Sequence, residues 1–169
     1  ASTTTGINGN TGFSTNDVGR LIRFRNASTE WLWGIIVSSS TTTATTPVID
    51  VMRTSTSTAA STQWNLGSWS STQGYPASVG FFEQRLVTAR NTALPQRMWF
   101  SQSGDIENQR PDSLSTGVVV VQDDDALDFT IASDQVNPIR WVSPGTVLVM
   151  GTDGGEFIVD SNGAFITPT

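Results

Sequence analysis

GYPASVGFFEQRLVTARNTALPQRMWFSQSGDIEN, residues 74–108, decides how this chain folds. Val79, Phe81 and Phe82 run up to the polar pair Glu83-Gln84, and Leu86, Val87 and Ala89 follow at once. This is the pattern of two short strands joined by a tight turn. A loop through Asn91 and Pro95 leads to Met98-Trp99-Phe100, whose β-preferring residues can pair back on the hairpin before Ser103-Gly104-Asp105 breaks the run. Three antiparallel strands are expected, with Phe81, Leu86, Met98 and Phe100 in the core. Arg85 sits inside this apolar hairpin, where an unpaired charge is expensive. A carboxylate or backbone carbonyls should therefore hold it, and Asp105 of the SGD turn is the first choice, as a structural ion pair tying hairpin to turn.

Working outward toward the C-terminus, Arg110 to Gly117 is turn-rich and Val118 to Val121 is a valine run read as a short strand. Strands are expected at Leu127 to Ile131, Ile139 to Val142, Val147 to Met150 and Glu156 to Val159, separated by Asn137-Pro138, Ser143-Pro144-Gly145 and Asp153-Gly154-Gly155. Trp141 and Val149 join the expected core. Strands of four to six residues recurring every eight to twelve indicate an all-β architecture, and successive antiparallel blades of a propeller-like domain are its expected form. Gly163-Ala164-Phe165 reads as the start of another strand, so a fragment of a longer polypeptide is expected.

Toward the N-terminus, Gly67 to Gln73 reads as a linker. It divides a small β-barrel-like module, residues 1–67, from partial propeller-like sheets, residues 68–169. Ala1 to Gly12 is too polar to anchor a core. Strands follow at Leu21 to Phe24, Glu30 to Val37, Pro47 to Met52 and around Trp64-Asn65-Leu66, with long Ser/Thr runs between them. Arg20, Arg23 and Arg25 interleave with apolar residues. They read either as a phosphate-binding ladder or as a half-solvated face paired with acids, and the acidic background favours the second. Trp31 and Trp33 invite a sugar-stacking reading, against which core packing of at least one is preferred.

The composition excludes much chemistry. Histidine, cysteine and lysine are absent, and all 9 cationic side chains are arginine. The usual general base, the commonest transition-metal ligand, thiolate sites and disulfides are thereby removed. A net charge of −6 and a pI near 4.4 argue against a surface that grips nucleic acid through phosphates. No apolar run is long enough to cross a bilayer as a helix, and a soluble chain is expected.

Asp123-Asp124-Asp125 is the sharpest charged feature. Three carboxylates suggest calcium or magnesium, but adjacent side chains of an extended segment point to opposite faces and the spacing does not fit an EF-hand. A solvated turn without metal is expected, with Asp125 free to pair with an arginine. A glycosidase would need two acids roughly 5 to 10 Å apart, one with a raised pKa. Glu83, Asp105, Glu107 and Asp125 are the available pool, in turn and loop positions more often solvated than buried. The SGD turn also lacks the S-x-D-x-G spacing of a sialidase Asp-box. No enzyme and no cofactor are expected.

The order YP, two aromatics, QRL, a loop with PQ, W, S-x-SGD and EN in residues 74–108 resembles a segment of the tail nozzle or tail tubular structural proteins of short-tailed bacteriophages. DDDALDFTIASDQVNPIRWVSPG and VLVMGTDGGEFIV resemble the same family in the same order, so that the likeness extends from about Asp17 to Thr167. The chain departs from the family pattern at Val87 to Arg90 and at Gln109. The resemblance implies a virion structural protein, made in the bacterial host cytoplasm and placed in the phage tail. It implies a homo-oligomeric ring, hexameric for instance, around the DNA ejection path, beside adaptor and fibre proteins. DNA would pass without tight binding, with Asp123, Asp124 and Asp125 as lumen or interface acids and no membrane contact. The alternative is a glycan- or receptor-binding β-module of a phage tail.

Overall fold

Glu83 and Gln84 both adopt left-handed backbone angles, with φ of 48° and 60°. This reverses the chain in two residues and sets the register Phe82↔Arg85, Phe81↔Leu86, Gly80↔Val87. The computed structural model describes residues 7–8, 12–25, 31–38, 47–53, 62–115, 118–160 and 165–168, and omits the side chains of 114–119. Among these residues helix is confined to short 3-10 turns, and the regular structure is antiparallel sheet. The chain forms two compact units, residues 1–74 and 75–169.

In the first unit, β1 (Leu21–Arg25), β2 (Trp31–Ser38), β3 (Val48–Val51) and β4 (Trp64–Leu66) make an open sheet in the order β3-β2-β1-β4. No barrel closes among the described residues. One face carries Ile22, Ile36, Ile49, Trp64 and Leu66 against Ile7 and Phe13. Ile7 corrects the expectation for the polar N-terminal stretch: a single isoleucine among Ser, Thr and Gly is fully buried. The segment after β4 is likewise no free linker. Gly67 N–H donates to Leu21 O, the Gly67 carbonyl accepts from Arg20 Nε at 2.8 Å, and Ser70 and Gly74 bridge each other.

In the second unit the expected hairpin and third strand are present as β5 (Ser78–Phe82), β6 (Arg85–Ala89) and β7 (Arg97–Phe100), joined by β10 (Leu127–Thr130) in the order β10-β7-β6-β5. β11 (Ile139–Pro144), β12 (Leu148–Thr152) and β13 (Gly155–Val159) form a three-stranded meander. β8 (Ser113–Ser115), within the stretch read as turn, pairs with β9 (Val118–Val120). Phe82, Val87, Ala89, Met98, Phe100 and Leu127 of the first sheet pack on Ile139, Leu148 and Met150 of the second. β11 comes close enough to β5 that a Cβ on Gly80 would lie 3.2 Å from Val142 Cγ2.

Strand parity corrects part of the expected core. Met98 and Phe100 are buried, but Phe81 is 59% exposed, because Phe82 takes the inward position and its neighbour must face the other way. Leu86, paired with Phe81, shares that outer face and is half-buried. Val149 is also half-buried. Trp141 is 42% exposed. The register shifts between Ile139 and Trp141, leaving Arg140 as an extra residue, and the Trp141 ring covers Gly151, where a Cβ would sit 2.1 Å from it. At the C-terminal end residues 165–168 are irregular rather than a strand, while 163–164 lie outside the described residues. Ile166 is nevertheless buried, and its N–H donates to Glu83 Oε2 at 2.7 Å.

Candidate functional site

Arg85 leaves the turn as the first residue of β6, on the buried face with Phe82, and is 3% exposed. Its Nη1 donates to the carbonyls of Ser101 and Asp125, both at 2.7 Å, and to that of Asp124 at 3.3 Å; Nη2 donates to the carbonyl of Asp123 at 2.7 Å. The charge is thus held by four carbonyl dipoles and not by Asp105, whose side chain is exposed. The expected Arg85–Asp105 ion pair is corrected on this geometry. A planar fork of five N–H groups suits several convergent carbonyls, and the turn 123–125 wraps them around it. Burial lowers the Arg85 pKa, and the nearby negative charges of Asp124, Glu83 and Asp125 oppose that shift. The group stays charged at any ordinary pH.

The Asp123-Asp124-Asp125 turn therefore works mainly through its backbone. Asp123 and Asp124 are exposed, but Asp125 is fully buried and so is no lumen or interface acid. Its Oδ1 accepts from Ser113 Oγ at 2.6 Å and Gln102 Nε2 at 2.7 Å, and its Oδ2 from the Gln122 N–H at 2.8 Å. Three donors satisfy the carboxylate without a cation. Gln102 in turn accepts from Asn108 Nδ2 at 2.7 Å. The loop 102–108, the 122–125 turn and the hairpin are thereby locked into one polar clasp. Among the described residues no group of three or more acids is arranged to hold a metal ion. Of the remaining acids considered for acid–base chemistry, Glu83 accepts from Ile166 N–H, and Asp105 and Glu107 are exposed.

The arginines of the first unit divide between two environments. Arg20 is buried and pairs with fully buried Asp17, Nη1 to Oδ1 at 3.0 Å; Asp17 Oδ2 also accepts from Ser14 N–H and Asn8 Nδ2. Arg23 and Arg25 lie on the sheet face away from Ile22. Arg23 stacks over Trp31, 4.6 Å from the ring centroid, and Arg25 Nη1 donates to Gln63 Oε1. No continuous ladder results. Trp31 and Trp33 are half-buried on that face, and neither joins the buried cluster around Ile36.

A cleft of about 290 Å³ opens beside the loop after β6, lined by Tyr75, Ala77, Arg90, Asn91, Thr92, Pro95 and Pro138. Sequence reasoning did not single it out. Arg90 has a φ of 56°, an uncommon conformation for a residue with a side chain. Its backbone is fixed by Arg90 N–H to Arg97 O at 2.8 Å and Ala77 N–H to Arg90 O at 2.9 Å. Its guanidinium makes no hydrogen bond or ion pair among the described residues. Tyr75 is 60% exposed. Asp153, whose carboxyl feels Arg90, is already gripped by Arg140 through two 2.6 Å hydrogen bonds. Asp153 thus feels two arginines, of which Arg140 alone hydrogen-bonds it among the described residues. No protein-family model matches this chain, and no curated protein matches it.

Proposed function

We propose that this chain is a structural part of the tail nozzle or tube of a short-tailed bacteriophage, working in a ring of identical copies around the path of the ejected DNA. The observation that carries the reading is where the resembling segments fall. Residues 74–108 and 123–145 meet in the Arg85 clasp, and 147–159 supplies the strands packed on them. A motif order that recurs over segments interlocked in this way is a statement about a whole sheet unit and not about one loop. The two sheets of the second unit are, in this reading, successive blades of a propeller-like arrangement.

The mechanism is passive. Exposed acids, Asp123 and Asp124 among them, repel the phosphate backbone and discourage adhesion, while outward apolar side chains such as Val79, Phe81 and Ile158 offer contact area to neighbouring copies or to adaptor and fibre proteins. No catalysis or cofactor is invoked. Placing the chain in the density of an intact short-tailed virion tests the assignment, and a position outside the tail removes it. Retention of duplex DNA by the purified chain at moderate salt would contradict the non-adhesive wall. The alternative, a glycan- or receptor-binding module of a phage tail, draws its support from the Tyr75–Arg90 cleft.

A further inference from the structure

We propose that the cleft between Tyr75, Arg90 and Pro138 binds the carboxylate of an acidic sugar, of the uronic or sialic class. The site stands on its own geometry and does not depend on the tail assignment.

A guanidinium without a hydrogen bond or ion pair among the described residues is the first observation. Arg20, Arg85, Arg97 and Arg140 each engage an acid or carbonyls through the side chain, whereas the Arg90 guanidinium does not, although its residue is held at a strained left-handed φ by two backbone hydrogen bonds. Such strain persists where the surroundings fix it, and it recurs at ligand sites. The second observation is charge. The Arg90 charge acts on the Asp153 carboxyl, but Arg140 already occupies both oxygens of that carboxylate. A planar guanidinium in this state suits a single bidentate carboxylate.

Shape and surroundings narrow the ligand further. At about 290 Å³ the cleft holds one pyranose-sized body and little more. Tyr75 offers an exposed ring on which the C–H face of a sugar can lie, and the exposed Thr92 hydroxyl faces no protein partner among the described residues. An extended acidic peptide is disfavoured because the wall has little main-chain hydrogen bonding to give. The N–H groups of Ala77, Arg90, Asn91 and Leu94 are used within the loop, as is the Pro95 carbonyl, and Pro95 and Pro138 have no N–H. Duplex DNA is disfavoured because one arginine is no phosphate track.

The test is a titration of the 169-residue chain followed by amide chemical shifts, using glucuronate, neutral glucose, glutarate and the capped peptide Gly-Glu-Gly. Glucuronate is expected to move the amides of Ala77, Arg90 and Asn91 with a Kd on the order of 1 mM, and glucose to bind at least about tenfold more weakly. Arg90→Gly, which the left-handed backbone accommodates, should weaken glucuronate by roughly tenfold. Tyr75→Ala should weaken glucuronate several-fold and leave glutarate, which has no ring face, unchanged. Overturning results are an absence of shifts at these amides up to about 20 mM glucuronate, equal binding of glucose and glucuronate, or unchanged glucuronate binding by a folded Arg90→Gly chain. Tighter binding of the peptide than of glucuronate also overturns the proposal and reassigns the cleft to an acidic protein partner.

Discussion

The Arg85 guanidinium donates a 2.7 Å hydrogen bond to the backbone carbonyl of Asp125, while the Asp125 carboxylate turns away and closes on Ser113, Gln102 and the Gln122 N–H. One residue thus serves two networks, through its backbone on one side and its side chain on the other. Arg85→Ala strips four carbonyls of their donor and should cost about 3 kcal/mol in urea unfolding; Arg85→Lys, which cannot reach all of them, should cost about 2 kcal/mol. Because Asp105 is not the partner, Arg85→Ala should cost the same in an Asp105→Asn background, within about 0.5 kcal/mol. A larger coupling would restore the ion pair to the account.

Phe81 and Phe100 make a controlled comparison, the same side chain on opposite faces of one sheet, in strands separated by β6. Phe100 is fully buried and meets Phe129 edge-on with ring centroids 5.8 Å apart, so Phe100→Ala should cost about 3 to 5 kcal/mol. Phe81→Ala should cost less than about 1 kcal/mol in the isolated chain, because most of its ring is already in water. Urea unfolding of the two variants checks the difference. Equal losses would mean that the outer face of β5 is covered in solution.

Alternation and turn chemistry made most of the strands legible, since a period of two bounded by Gly, Pro, Asn and Asp needs no tertiary knowledge. Parity was not legible in the same way. Phe81 and Phe82 are adjacent aromatics, one of which must face outward, and the choice rests on Gly80 lying under Val142, a contact between residues far apart in the chain. Trp141 was misplaced for a related reason: the bulge at Arg140 re-aims it onto Gly151. That Arg85 needs a partner followed from its apolar setting. Which partner it takes did not, because every residue carries a carbonyl and only the fold says which four converge. Ile7 lacked periodic neighbours, and nothing in the sequence marks Arg90 for a left-handed φ.

Gln84 holds a φ of 60° in a two-residue turn without glycine or asparagine. Its carbonyl accepts from Gly104 N–H at 2.9 Å, a bond independent of its side chain, and the side chain is exposed. Gln84→Gly should therefore stabilise the chain by about 1 kcal/mol through relief of left-handed strain. Glu83→Gly, at a φ of 48°, gains the same relief but loses the carboxylate that binds Ile166 N–H, so the net change should be smaller or unfavourable. Thermal unfolding of the pair separates the two effects. A destabilising Gln84→Gly would show that its side chain has work in the turn.

Gly151 lies beneath the Trp141 ring, where an added Cβ would fall 2.1 to 2.4 Å from three ring atoms. Gly151→Ala should accordingly cost about 1 to 3 kcal/mol, as the indole has to leave its position or the strands separate. In a Trp141→Leu background the penalty should fall by at least about 1 kcal/mol, because the smaller side chain leaves room. Urea unfolding of the four proteins measures the coupling. Additive losses would place the strain in the β12 backbone instead.

Asp153 and Arg140 supply the pH-dependent element. The side-chain hydrogen bonds from Arg140 hold the Asp153 carboxyl below its ordinary value of 3.8, with the Arg140 and Arg90 charges adding to the effect and desolvation opposing it; Arg140 is raised in return, chiefly by the same hydrogen bonds. A carboxyl lowered by folding contributes stability that is fully present above 3.8 and is lost as pH falls through the lowered folded value. Both groups are about half exposed, so salt screens the pair and its effect on unfolding is small. Carboxyl-carbon NMR is the sensitive readout. Asp153 should titrate below 3.8 in the native chain, move up toward it in Arg140→Gln, and move up by a smaller step in Arg90→Gly. An Asp153 that titrates at its ordinary value with Arg140 present would show that the bidentate pair does not persist in solution. A step from Arg90→Gly as large as that from Arg140→Gln would mean that Asp153 shares its charge equally between the two arginines, and would remove the surplus cation from the Tyr75 cleft.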